Sequence, residues 1–254
     1  MNSPRIGSVK YLNAYPLIRG WPGPVRLDHP AALCRQLALG DLDLALVSSF
    51  EFLRNPIYRI IDGISISSDG PVYSVVVTYA GEISELEEIE LDPASETSGN
   101  LLRCLLAELH IAPRLVTRST SAITKKRGRL LIGDQAIRFR QQQETEFHFW
   151  DLGEQWKKIV GLPFVYALWL IRPTVVEPAK FAARLRDLRD NNVNHLDELI
   201  EAVKEFDPKF CIRYYRKHLR FSFGEKEKQG LRTFAKLCSK HALLPKSDFV
   251  LNLV

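Results

Sequence analysis

The residues that could do chemistry are hydroxyls and amides placed where apolar runs give out. Asn13 and Tyr15 follow the run "RIGSVKYL", and Ser48 and Ser49 end "DLDLALVSS". Asp69, Gly70 and Ser74 lie in "SDGPVYSVVV", Ser95, Thr97 and Ser98 fill the loop "DPASETSGN", and Asp134 closes "GRLLIGD". The inventory is mostly hydroxyls and amides, which exchange hydrogen bonds with a polar or anionic small molecule, with Asp69 and Asp134 its few charges. The loop "DPASETSGN" runs directly into the helical pattern "LLRCLLAEL", so its hydroxyls and the first free backbone N–H groups of that helix form an anion site. Plainer readings stand beside this one. Ser98 or Asn100 caps the helix, Ser48 and Ser49 make a strand-end turn, and Asp134 is a turn or cap ahead of "QAI".

Other chemistries lack their residues. No G-x-G-x-x-G follows a strand, and there is no P-loop, H-E-x-x-H or G-x-S-x-G. His29, His110, His148, His195, His218 and His241 are scattered, and "HFWD" at His148 reads as packing rather than ligation. Cys34, Cys104, Cys211 and Cys238 form no C-x-x-C pair and read as buried free thiols. The expectation is therefore no metal and no cofactor.

The net charge of +5, from 35 basic and 30 acidic residues, suits an anionic small molecule as well as nucleic acid. The basic stretches do not favour the latter. "KKRGR" reads as a solvated loop, and "RYYRKHLR" interleaves aromatics at helical spacing, so its Tyr and Leu pack inward. No apolar run approaches the roughly 18 residues needed to span a bilayer. The start "MNSPRIG" lacks the apolar region of a signal peptide, which makes the cytoplasm the expected location.

These residues need elements to hold them. Strand-like runs rich in β-branched residues alternate with helical patterns, such as "PAALCRQLALG" with Pro30 at its start and Gly40 at its stop. Alternation of this kind predicts an α/β protein with parallel sheets. Two long apolar strands, near residues 72–80 and 163–172, bracket a second β-α-β series, one leaving the first lobe and the other returning to it. The expected architecture is a two-lobe, type 2 periplasmic-binding-protein-like fold, with the ligand in the interlobe cleft at strand carboxyl ends. The expected division is residues 1–78 with 168–254, including a helical tail in which Asn194 caps "VNHLDELIEAVKEF", and residues 79–167.

Six blocks, "RIGSVKYLNAYPLI", "GDLDLALVSSFEFL", "SDGPVYSVVV", "LDPASETSGNLLRCLL", "LLIGDQAI" and "DLGEQWKKIVGLPFVYALW", resemble in order those of the MqnA family. These are the chorismate dehydratases of the futalosine route to menaquinone. The resemblance runs over residues 5–171, with a weaker match in the tail. It implies a lyase converting chorismate to 3-[(1-carboxyvinyl)oxy]benzoate. By matching blocks it implies Asn13 as the group holding or polarising the ring and Ser74 as a contact at the crossing. Thr97 and Ser98 become a carboxylate clamp within the loop that Ser95 opens, Ser48 and Gly70 further contacts, and Asp134 the acidic group near the cleft. Glu96 departs from the pattern, since the family more often has Arg there, and a negative charge beside an anion site would weaken dianion binding unless it points away.

Two other readings use the same fold. A non-catalytic small-anion binder would be expected to carry a signal peptide or an N-terminal DNA-binding helix pair. The sister 1,4-dihydroxy-6-naphthoate synthase would be expected to open on a Ser-Pro-Cys-like loop and to place a histidine in the cleft.

Overall fold

The computed structural model describes residues 4–117, 122–143, 145–246 and 249–254. A first series runs β1 (Ile6–Val9), a 3-10 turn (Leu12–Ala14), α1 (Tyr15–Ile18), β2 (Val25–Asp28), α2 (Pro30–Leu39), β3 (Leu44–Ser48), α3 (Ser49–Arg54) and β4 (Arg59–Ser68). Pro30 occupies the first turn of α2, and Gly40 at φ 86° takes the left-handed conformation that ends it. The second series runs β5 (Val75–Tyr79), a 3-10 turn (Ile83–Glu85), β6 (Glu88–Glu90), α4 (Glu96–Glu108), β7 (Arg114–Val116), β8 (Arg127–Ile132), α5 (Gly133–Gln143), β9 (His148–Asp151) and α6 (Leu152–Val160). β10 (Phe164–Ile171) then leads into the tail, with α7 (Pro178–Asn194), α8 (Leu196–Glu201), α9 (Pro208–Arg213), a π-helical turn (Tyr214–His218) and α10 (Glu225–Lys240).

The strands form two five-stranded sheets, ordered β2-β1-β3-β10-β4 and β7-β6-β8-β5-β9. Both are mixed rather than parallel. β1, β2 and β3 are parallel, as are β6, β7 and β8, but β10 and β5 run antiparallel to their neighbours. The reason is topological. β5 and β10 each enter from the other sheet rather than through a crossover from a neighbour in their own sheet, so the β-α-β rule that makes neighbours parallel does not apply to them. A division at 78/79 and 167/168 would cut both strands. Pairing keeps all of β5 in the second sheet and all of β10 in the first, so the chain changes sheets in segments 69–74 and 161–163.

All eight residues of β10 are buried, as its apolar run requires in the middle of a sheet. Trp156 of α6 packs edge-on to Phe164 of β10 at 5.0 Å, and Phe234 of α10 meets both rings at 6.1 and 4.9 Å. The tail helix thus seals the seam between second-series and first-sheet elements. The chain's end also covers the exposed edge of β4, Ile60 donating to Asn252 O at 2.8 Å and Val254 to Ile60 O at 2.9 Å.

Two local expectations change. Arg127 and Arg129 of "KKRGR" are not a solvated loop but lie in β8, each 2.7 Å from the carboxylate facing it across β6, Glu88 and Glu90. Asn194 is the last residue of α7 rather than a cap, and α8 starts after His195 with no side-chain cap.

Candidate functional site

Strand ends from both sheets converge on one cleft. Its wall includes Tyr11 and Asn13 after β1, Ser48 at the end of β3, Ser95 and Ser98 at the start of α4, Gly133 after β8, and Tyr166 in β10, with Val9, Ile66, Val72 and Val75 supplying apolar surface. None of the lining residues is Asp, Glu, Lys, Arg or His. Three helices of 10, 13 and 11 residues begin at the wall, α2 with Pro30, α4 with Ser95 and Ser98, and α5 with Gly133. Each contributes up to about half a positive charge at its N-terminus. A wall without charged side chains and with helix N-termini behind it is suited to holding an anion through oriented N–H groups.

Asn13 sits in the turn that follows β1, and its Oδ1 is buried without a hydrogen-bond partner. Leaving a buried acceptor unpaired costs about 1–3 kcal/mol, and a hydroxyl or N–H donor on a ligand would recover it. The turn itself is fixed from the other lobe, because Leu12 N donates to Asp134 Oδ1 at 2.8 Å. Asp134 is therefore a tether rather than part of the wall. Burial raises its pKa, opposed by that bond and by Arg138.

Ser95 caps α4, its Oγ accepting from Ser98 N at 3.2 Å and donating to Ser98 Oγ at 3.0 Å. The cap is thus Ser95, rather than Ser98 or Asn100, and Ser98 is left on the cleft wall. Thr97 faces the other lobe. Its Oγ1 accepts from Phe50 N at 3.0 Å, its N–H donates to Ser48 Oγ at 3.3 Å, and its hydroxyl bonds that of Ser48. Ser49 turns away to donate to Val165 O at 2.7 Å.

Glu96 points out of the cleft. It pairs with Arg54 of α3 at 2.8 Å, with 43% of its side chain exposed, and Arg54 also holds Glu51. The departure seen in the sequence therefore puts no negative charge on the wall. The Glu96–Arg54 pair, the Thr97 contacts, the Leu12–Asp134 bond and a backbone bond from Ala31 N to Ala94 O at 3.2 Å draw the two lobes together.

The crossing segment is placed less directly than expected. Ser74 is fully buried behind the wall, between the lining residues Val72 and Val75, and accepts from Tyr214 Oη at 2.6 Å. Gly70 lies at φ 126°, outside the wall, its carbonyl accepting from Ser68 Oγ at 3.0 Å. Asp69 pairs with Lys157 at 2.6 Å, and Tyr15 stacks under Arg19. None of these four faces the cleft.

Two polar lining side chains, Tyr166 and Tyr11, were not assigned from the sequence. Tyr166 is the polar group in an otherwise apolar strand, and its Oη lies 3.1 Å from Ser68 Oγ. Burial, and after it the charge of Asp151, raises its pKa, so it stays a phenol. Tyr11 packs its ring flat across Gly133, where a Cβ would come within 2.8 Å of the ring, and its Oη lies 3.0 Å from His29 Nδ1. Gly133 at φ 58° is needed for that approach. Among the described residues no group of three or more His, Cys, Asp or Glu side chains could hold a metal ion.

Known proteins resemble this chain in sequence and in fold. Chorismate dehydratase from Thermus thermophilus is 30% identical, the alignment covering 91% of this chain and 92% of the relative. Protein AF1704 from Archaeoglobus fulgidus has a TM-score of 0.74 at 16% identity, covering 95% of this chain and 98% of its own. The periplasmic aliphatic sulphonate binding protein SsuA from Escherichia coli reaches 0.64 at 12% identity, covering 99% and 96%. At such identities the last two show the fold alone, the two-lobe fold of periplasmic binding proteins. The family model for menaquinone biosynthesis matches residues 4–240, and this chain belongs to that family.

Proposed function

We propose that the interlobe cleft binds the chorismate dianion and dehydrates it to 3-[(1-carboxyvinyl)oxy]benzoate, a carbon–oxygen lyase step of menaquinone biosynthesis. The observation that carries this reading is the wall itself: no charged side chain, three helix N-termini, and the orphaned amide oxygen of Asn13. In the reaction the C3–H and C4–O bonds break, a C3–C4 double bond forms, and one water leaves. Because the product ring is aromatic, the step is downhill, and the protein must orient the ring and stabilise charge as the C3 proton departs. Ser95, Ser98 and the N-terminus of α4 hold a substrate carboxylate, where oriented donors stabilise developing negative charge. Asn13 engages the reacting ring, its Oδ1 accepting from the C4 hydroxyl. With no carboxylate or imidazole on the wall, a substrate carboxylate takes the C3 proton in this reading and passes it to the departing C4 hydroxyl, so that water leaves. Ser48 ties the wall to Thr97, and Ser74 acts from behind it by fixing the crossing segment.

The naphthoate synthase reading needs a histidine in the cleft, and the wall has none. We place the reaction in the cytoplasm, which suits the four free, buried cysteines. Incubating the purified protein with chorismate alone and following products by chromatography with mass detection tests the proposal. Enzyme-dependent loss of one water to an aromatic enolpyruvyl ether is expected. Intact chorismate together with a chorismate-induced rise in Tm would instead indicate a binder.

A further inference from the structure

Two segments that shape the cleft, one of them carrying Asn13, are short and belong to no sheet. One is the turn Leu12–Ala14, and the other is the crossing segment 69–74. A strand is fixed by its ladder, but these segments need anchors from elsewhere. The tail supplies them through its π-helical turn, Tyr214–His218, a rare geometry that recurs at functional sites.

Adjacent tyrosines in this turn reach both segments. Tyr215 Oη donates to Leu12 O at 2.9 Å, one residue from Asn13. Tyr214 Oη donates to Ser74 Oγ at 2.6 Å, between the lining residues Val72 and Val75. His218 Nδ1 lies 3.0 Å from Pro71 O, a third contact to the same crossing segment. Tyr214 stacks on Phe210 at 5.6 Å with the rings 13° apart, and Tyr215 packs against Phe221 at 6.1 Å, so neither phenol is free to swing. Burial raises the pKa of both, which keeps both hydroxyls as donors. From the opposite side, Asp151 accepts from Val72 N at 3.0 Å and from Tyr73 N at 2.7 Å. The crossing segment is thereby clamped between the second lobe and the tail.

We infer that Tyr214 and Tyr215 are positioning residues for the dehydration: Tyr215 sets the turn that presents Asn13, and Tyr214 sets the crossing segment that forms the facing wall. The inference rests on the reading of this cleft as the chorismate site. It gives the helical tail, which touches no substrate, a direct effect on turnover.

The test uses Tyr214→Phe and Tyr215→Phe, which keep the rings and remove only the hydroxyls. Each variant is expected to lower kcat by about tenfold or more, with KM within about threefold, because small misplacement of a reacting geometry costs rate. Tm should stay within a few degrees. Tyr215→Phe combined with Asn13→Ala should be no slower than Asn13→Ala alone, since both remove the same presentation of the amide. Amide hydrogen exchange should quicken at residues 12–14 in Tyr215→Phe and at residues 72–75 in Tyr214→Phe. Unchanged kcat in both variants, losses that multiply in the double variant, or unaltered exchange at these segments would overturn the inference. The exchange measurement needs no turnover, so it separates failure of this inference from failure of the chorismate reading.

Discussion

Thr97 of the second lobe caps a helix of the first, its Oγ1 accepting from Phe50 N at 3.0 Å while its own N–H donates to Ser48 Oγ at 3.3 Å. The N-termini of α3 and α4 are thus joined side by side at the edge of the cleft. Thr97, read from the sequence as part of a substrate clamp, joins the two lobes here, and Ser48 lies both on the cleft wall and in this contact.

Thr97→Val keeps the shape and removes the hydroxyl. Losing a cap costs about 1 kcal/mol, which in a chain of this size lowers Tm by about 2–4 °C. Because the closed arrangement is the one weakened, KM for chorismate is expected to rise more than kcat falls. Thermal melts and steady-state kinetics check this, and an unchanged KM would count against a role in closure.

Asn13→Ala is expected to separate activity from folding. The amide oxygen has no partner in the folded chain, so its removal sacrifices no intramolecular bond, and Tm should move by no more than about 3 °C. Turnover should fall by roughly 100-fold, the scale seen when a preorganised polar group at a reacting centre is deleted. Comparable losses of stability and activity would remove Asn13 from the chemistry.

Glu96→Gln tests whether the acidic residue in the clamp loop harms the site. Glu96 and Arg54 are 43% and 47% exposed, and a pair of that kind contributes about 1 kcal/mol or less. A small fall in Tm, reduced further by added salt, and kcat/KM within about threefold of the parent are expected. A large gain in chorismate affinity would show that the carboxylate does reach the ligand.

Asp134 is expected to make stability depend on pH. Burial raises its pKa above the ordinary 3.8 in the folded protein. A raised carboxyl contributes fully below its unfolded value and loses that contribution as pH climbs through the folded value. Asp134→Asn carries no charge at any pH and keeps an oxygen to accept from Leu12 N. The Tm of the variant relative to the parent should therefore rise between about pH 3 and pH 7, starting from the ordinary aspartate range. A difference that stays constant across that range, read by calorimetry, would contradict the burial argument.

Much of the molecule was legible in the chain. Pro30 and Gly40 bound α2 because a ring-fixed φ starts a helix and a left-handed residue ends one. Asn13, Ser48, Ser95 and Ser98 reach the cleft because strand carboxyl ends and the loops after them meet there in this topology. The antiparallel entry of β5 and β10 was not legible, since an apolar run reads alike in either direction. Nor were Tyr11 and Tyr166 as wall residues, because an aromatic beside or within an apolar strand is first of all a packing residue.

The amino-acid sequence alone determined the α/β alternation, the polar inventory at the strand ends and the family resemblance, because these depend on near neighbours and local periodicity. Tertiary structure decided the partners. Glu96 turned to Arg54 across 42 positions, Thr97 reached Phe50 across 47, and Tyr215 reached Leu12 across 203. Separations of that size leave no mark in local spacing, and only the packing of one lobe and the tail against the other brings such groups within hydrogen-bond distance.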